Sequence, residues 1–150
     1  MSALGPGLLE AGVIRTSARL PLPARLHELY RGFAQIIAEG RPELIAIEDL
    51  FAHPRFPRTA IVMGQVCGVI QLAAAQAGVP IDAIPPASVK RAMVASGQAG
   101  KRQMQRMVRL LLAMAEEPGT HVADALALAL TAVSRRGLPL GRRRRLRGSA

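Results

Sequence analysis

The chain has 150 residues, half of them apolar, only 3% aromatic and none of them Trp, so one domain with a core of Ala, Leu, Ile and Val is what it can build. A single cysteine, Cys67, excludes an internal disulfide and any multi-cysteine zinc site, and its neighbours Gly64, Val66, Gly68 and Val69 predict a small buried core residue. The net charge is +10, and Arg135, Arg136, Arg142, Arg143, Arg144, Arg145 and Arg147 supply seven charges after position 134 with no acid among them. Residues 135–150 are therefore expected to be a disordered, arginine-rich tail following a domain of residues 1–134. That tail is either a solubilising extension or, the favoured reading, a seeker of a polyanion. No uninterrupted apolar run reaches the roughly 18 residues of a membrane span, and no basic region precedes an apolar stretch at the N-terminus. The expectation is a cytoplasmic protein with no membrane association.

In chain order, residues 11–16 (AGVIRT) predict a short strand and residues 20–23 a proline-bearing loop. Residues 24–39 place Leu26, Leu29, Tyr30, Phe33, Ile36 and Ile37 at helical spacing, with Gly40 and Pro42 as stop signals. Residues 44–47 are a continuous apolar run of strand length. Residues 52–58 (AHPRFPR) form a basic, proline-broken loop. Thr59 can cap a helix that runs to Ala77 and closes at Gly78. That helix is apolar nearly all round, with Gly64 and Gly68 on one face, so it is either central or a subunit contact. Residues 79–84 predict a strand. Pro86 can open a helix over 87–95, and further helices follow at 101–114 and from His121 to about Arg135, with Thr120 as N-cap. Strand, helix, strand, helix, strand and helices in this order predict an α/β fold with at least one parallel pair joined by a helix.

The stretch Leu44-Ile45-Ala46-Ile47-Glu48-Asp49-Leu50-Phe51 runs from apolar residues into two carboxylates. Burying a charge costs several kcal/mol unless it is paired or holds a metal, so Glu48 is expected where the strand leaves the sheet, the end at which open α/β sheets bind ligands. His121 and Asp124 stand three residues apart at a helix start and project from one face. They are either ordinary helix-end chemistry, favoured by the helix dipole, or metal ligands. Asp124 lies in an otherwise apolar run and wants a partner. With Glu48 and His121 it could make an N/O metal site, and carboxylate and water ligands suit Mg²⁺ or Mn²⁺.

Several of these segments together resemble the RuvC family of Holliday-junction resolvases. They are Ile14-Arg15-Thr16, Ala46-Ile47-Glu48-Asp49-Leu50-Phe51, Met63-Gly64-Gln65-Val66-Cys67-Gly68-Val69, Pro85-Pro86-Ala87-Ser88-Val89-Lys90, Gly100-Lys101-Arg102-Gln103-Met104 and Ala123-Asp124-Ala125-Leu126-Ala127. The resemblance is collinear from about Glu10 to Val133 and rests on order and spacing together. It implies a ribonuclease-H-like mixed sheet flanked by helices, a homodimer, and an endonuclease that cuts four-way DNA junctions with two Mg²⁺ ions, for which Mn²⁺ can substitute. By it Glu48, His121 and Asp124 are catalytic metal ligands, His121 standing where Asp is commoner. Lys90, Lys101 and Arg102 contact DNA, and Phe51 stacks near the junction centre. Read without the resemblance, Phe51 is core or loop packing and the two lysines are solvated surface. Branch-migration helicase components are the implied partners.

The family pattern opens on a central strand ending in an Asp within a Gly-Ile-Asp-Pro-Gly-like motif. Leu4-Gly5-Pro6-Gly7 echoes its flanks without the acid, and too few residues lie between Gly7 and Ile14 for the strand and hairpin that normally intervene. The expectation is a sheet lacking the family's first two strands, either because the true start lies upstream of Met1 or because the chain is a degraded paralogue. Weak or no cleavage is expected of the 150 residues, and the rival reading is a non-catalytic junction- or nucleic-acid-binding protein.

Overall fold

The structure, a computed structural model, describes residues 5–49, 57–94, 100–138 and 140. They group into two compact units, Gly12–Pro86 and Met1–Ala11 with Ala87–Ala150.

The first unit holds α1 (Leu22–Gly40), β1 (Ile45–Glu48), α2 (Pro57–Gln76) and β2 (Ile81–Ile84). A proline in the first turn of α1 costs nothing there, because that N–H has no intrahelical partner. The helix ends where Arg41 turns left-handed (φ 42°) and its N–H donates to Ile37 O at 2.9 Å. Pro42 follows and cannot extend the ladder. Strands β1 and β2 pair in parallel, Ile45 opposite Ile81 and Glu48 opposite Ile84. Parallel neighbours need a crossover, and α2 is that crossover. It closes at Gly78 (φ 68°), with Gly78 N–H donating to Ala75 O at 3.1 Å and Val79 N–H to Ala74 O at 3.0 Å. This is a Schellman ending, and Gly fits its left-handed position without strain. The core gathers Ile37, Ile45, Ala73 and Ala74, with Tyr30, Phe33, Ile47, Val79 and Ile81 around them. Ala73 and Ala74 keep the buried face of α2 small. The Tyr30 hydroxyl donates to Gln76 Oε1 and ties α1 to the far end of α2.

The strand expected over residues 11–16 does not form. The sheet among the described residues has two strands, so this segment finds no backbone ladder to join. Ile14 instead closes over Gly32, where an added Cβ would stand 3.3 Å from Ile14 Cγ2. Arg25 Nε donates to Thr16 Oγ1 at 3.0 Å.

The second unit carries α3 (Pro86–Val94), α4 (Lys101–Leu111) and α5 (Thr120–Arg135). Met104 and Val108 of α4, Met93 of α3, and Ala127 and Leu130 of α5 form its buried centre. Burying a Leu, Met or Val side chain stabilises by about 1.5–3 kcal/mol, so this cluster suffices to hold three helices without an aromatic. The link from α4 to α5 is tied by Gln105 Nε2, which donates to Pro118 O at 2.8 Å. The expected caps differ. Thr59 lies inside α2, and Thr120 is the first residue of α5, while extended Gly119 occupies the N-cap without a side-chain bond. At the other end of α5, Gly137 (φ 76°) donates to Ser134 O at 2.9 Å and Leu138 N–H to Val133 O at 3.3 Å. Leu140 then packs against the core.

Although no uninterrupted apolar run reaches the length of a membrane span, residues Arg58–Gln76 are long and apolar enough, by length and composition, to cross a membrane. In this unit the same helix bridges two paired strands.

Helix α4 ends on a second Schellman turn with Ala113 in the left-handed position (φ 51°). Its N–H donates to Leu110 O at 3.3 Å, and Met114 N–H donates to Arg109 O at 3.0 Å. A Cβ costs roughly 1–2 kcal/mol in that conformation, of which the extra entropy of a glycine returns part. Ala113→Gly is expected to raise stability by about 0.5–1 kcal/mol, read as a higher urea midpoint at unchanged slope. A lowered midpoint would show that the turn is not strained.

Candidate functional site

Glu48 is the last residue of β1 and its side chain is exposed, at the end of the ladder where the sequence places it. Strand alternation puts Ala46 and Glu48 on one face and Ile45 and Ile47 on the other. Asp49, half-buried, extends the pairing by donating its N–H to Ile84 O at 3.0 Å. The adjacent carboxylates are thus held differently: Glu48 closes the strand facing solvent, and Asp49 is fixed through its backbone.

Helix α2 brings Cys67 into the same neighbourhood. The thiol is half-buried rather than a core residue. Burial pushes its pKa up, and the negative charge of Glu48 pushes it further in the same direction. Nothing in the spacing of Glu48 and Cys67 announces this. It follows from packing a crossover helix against the strand it leaves.

His121 and Asp124 lie in the first turns of α5, both exposed, on one face. The N-cap is Gly119, so neither side chain caps this helix. Among the described residues no three His, Cys, Asp or Glu side chains gather into a set that could hold a metal ion.

Lys90 and Arg91 are exposed on α3, and Lys101 and Arg102 are the first two residues of α4, also exposed. Two cations at a helix N-terminus, with no acid in that turn, oppose the helix dipole by about 0.3–1 kcal/mol each. They are misplaced for stability and well placed for a polyanion. Arg106 and Arg109 are partly engaged. Arg106 Nε lies 3.6 Å from Glu117 Oε1, an exposed pair of little energetic weight, and Arg109 Nε donates to Met114 O at 3.3 Å. Phe51 falls outside the described residues.

Comparison with known proteins bears on all of these positions. A sequence profile of the family described as "Crossover junction endodeoxyribonuclease RuvC" matches residues 4–132. The chain is 44% identical over 133 residues to the crossover junction endodeoxyribonuclease RuvC of Rhodopirellula baltica, covering 87% of this chain and 75% of that protein. It is 45% identical over 124 residues to that of Pelotomaculum thermopropionicum, covering 82% and 75%. The fold is similar to the Thermus thermophilus RuvC structure, with a TM-score of 0.79 and 35% identity over 92% of this chain and 84% of that one. It is also similar to T. thermophilus RuvC in complex with Holliday junction substrate, with a TM-score of 0.78 and 33% identity over 91% and 84%.

Because Glu48 opposes ionisation of Cys67, Glu48→Gln is expected to lower the thiol pKa. The variant should then react faster with an alkylating reagent at mildly alkaline pH, and the pH midpoint of that reaction should move down. Unchanged alkylation kinetics would separate the two side chains.

Proposed function

We propose that this chain, which belongs to the RuvC family of crossover junction endodeoxyribonucleases, recognises four-way (Holliday) DNA junctions through its basic helices and, with no three metal donors gathered among the described residues, cuts them weakly or not at all. The family match over residues 4–132, which takes in Glu48, Lys90, Lys101, Arg102, His121 and Asp124, carries this reading. Its nucleases are generally metal-dependent, and Mg²⁺ is the ion we assign, with Glu48, Asp124 and His121 as its donors. Carboxylate and imidazole are the right donor chemistry for a hard divalent ion. The number of gathered donors is not: no three stand together among the described residues.

The residues' own roles follow from placement. Lys101 and Arg102 add their charges to the positive end of α4, and Lys90 adds a charge on α3, so phosphates are drawn to this unit. Phe51 is assigned to stacking at the junction by the family resemblance.

A symmetric, two-strand substrate suits a twofold dimer. The outward stripe of α2 supports one. Ile61, Gly64, Gln65, Gly68, Leu72 and Ala75 recur at helical spacing and are all exposed, Ile61 by 64% and Leu72 by 52%. At Gly64 and Gly68 a Cβ would meet nothing within 4 Å, so no contact inside the unit explains either glycine, whereas close approach of a second helix would. A cytoplasmic location and branch-migration helicase partners complete the reading.

A synthetic four-way junction with Mg²⁺ tests it: tight binding in preference to linear duplex, with little nicking, is expected. Robust cleavage abolished by Glu48→Gln would overturn the weak-cleavage part, and equal affinity for junction and duplex would overturn the junction part. Measurable Mn²⁺ binding reduced by Asp124→Asn favours a metal-dependent nuclease over a purely binding protein, which should bind none. Ile61→Glu should weaken self-association by about tenfold or more in sedimentation, about 1.4 kcal/mol, while leaving the unfolding midpoint nearly unchanged.

A further inference from the structure

The polar side chains of α4 fall into two groups by what they touch. Lys101 and Arg102, in its first turn, are exposed and make no hydrogen bond or ion pair among the described residues. Gln105, Arg106 and Arg109, one to two turns further on, all reach the segment that leads to α5. Gln105 Nε2 donates to Pro118 O at 2.8 Å, Arg109 Nε donates to Met114 O at 3.3 Å, and Arg106 Nε lies 3.6 Å from Glu117 Oε1. The helix field sorts the cations in the same way. Lys101 and Arg102 oppose it at the N-terminus, whereas Arg109 stands in the last turn, where a cation is stabilising without any ligand.

The segment they hold is Leu112–Gly119, eight residues between the end of α4 and the start of α5, at the long end for a helix–helix connection. Its own packing is apolar: Pro118 is buried, and Met114 lies against the core. Gln105 grips the more consequential place. Pro118 C=O and Gly119 N–H belong to one planar peptide group. Gly119 is the N-cap of α5, and its carbonyl accepts from Ala123 N–H at 2.9 Å. A hydrogen bond to that plane therefore fixes the direction in which α5 sets out. His121 and Asp124 stand in the first turns of that helix, both exposed, and no side chain caps this end. Of the three ties, the part-buried Gln105 bond is the firmest and the exposed Arg106–Glu117 pair the weakest.

We propose that α4 divides its tasks by position: Lys101 and Arg102 are left for DNA phosphates, whereas Gln105 and Arg109 are positioning residues that hold the α4–α5 segment and, through it, the aim of His121 and Asp124. Arg106 joins the second group through Glu117. The inference rests on the nucleic-acid reading above and deepens it. It takes two cations of a basic helix out of the DNA interface, although their charge alone counts them in, and it adds a neutral glutamine to the candidate site. Gln105 touches neither DNA nor a donor atom in this arrangement; it acts through the Pro118–Gly119 peptide.

Two measurements on the full chain test this. The first follows the His121 imidazole proton resonance, assigned by its loss in H121Q, together with amide exchange at Ala123. Q105M keeps the side-chain length and lacks the donor. It should shift the His121 signal and speed exchange at Ala123 by about fivefold or more, the loss of roughly one hydrogen bond. Exchange at Val108 and Leu130 in the core should stay as it was, and Q105K, which restores a donor of similar reach, should return both signals toward their starting values. The second measurement is binding to a four-way junction across a salt series. R102Q should lower the slope of log affinity against log salt by about 0.9, while R106Q and R109Q leave it unchanged. An unmoved His121 signal in Q105M would overturn the positioning role. So would faster exchange throughout the core, which would make Gln105 a residue of general stability. Slopes that fall equally in R106Q and R109Q would return those arginines to the interface and overturn the division. A slope unchanged even in R102Q, with His121 still moved by Q105M, would remove the nucleic-acid reading and uphold the positioning role.

Discussion

The parallel pairing of β1 with β2 is the constraint from which the rest of the first unit follows. Parallel strands cannot be joined by a tight turn, so the chain must cross over through a helix, and α2 is long enough to do so. Once α2 lies there, Ala73 and Ala74 meet the same core as Ile45, and α1 completes the cover with Ile37 and Phe33. The register then fixes what stands at the strand end. With Ile45 opposite Ile81, Glu48 falls opposite Ile84, and Asp49 makes the last ladder bond. A slip of one residue would turn Glu48 onto the core face and expose Ile45, exchanging a solvated charge for a buried one.

Much of this is legible in the residues because it depends on local periodicity. Helix α4 reads correctly since Met104, Val108 and Leu111 recur on one face while Arg102, Arg106 and Arg109 recur on another. Strand β1 is visible as an apolar run between a proline and two acids, and the exposed end position of Glu48 follows from the cost of burying it. What fails is what depends on distant partners. Residues 11–16 have strand composition but no neighbouring ladder among the described residues. The turn at Ala113 is invisible because alanine has no preference for a left-handed backbone. The proximity of Cys67 to Glu48 is likewise a product of helix-on-strand packing. Gly119 takes the N-cap that Thr120 was expected to fill because Gly119 stands extended there (φ −59°, ψ 157°), a shift of one residue that spacing alone does not resolve.

The candidate site shows the same division. Each charged residue expected to matter and lying in the described chain is exposed, and two sit against the local helix field rather than with it. Such misplacement costs the free protein stability and is recovered when an anion arrives, so it is a stronger sign of function than exposure alone. Metal donor types are present, though among the described residues no three of them gather. The nearly neutral first unit contrasts with the strongly basic second.

The hydrogen bond from Tyr30 to Gln76 has a consequence of another kind. Tyr30 is the chain's only tyrosine and there is no Trp, so almost all of its near-ultraviolet absorption and emission arises from one ring. That ring sits at the joint where the first half of α1 meets the last turn of α2. The protein therefore carries a native optical probe of a single tertiary contact, and any event that loosens the crossover helix registers there without a label.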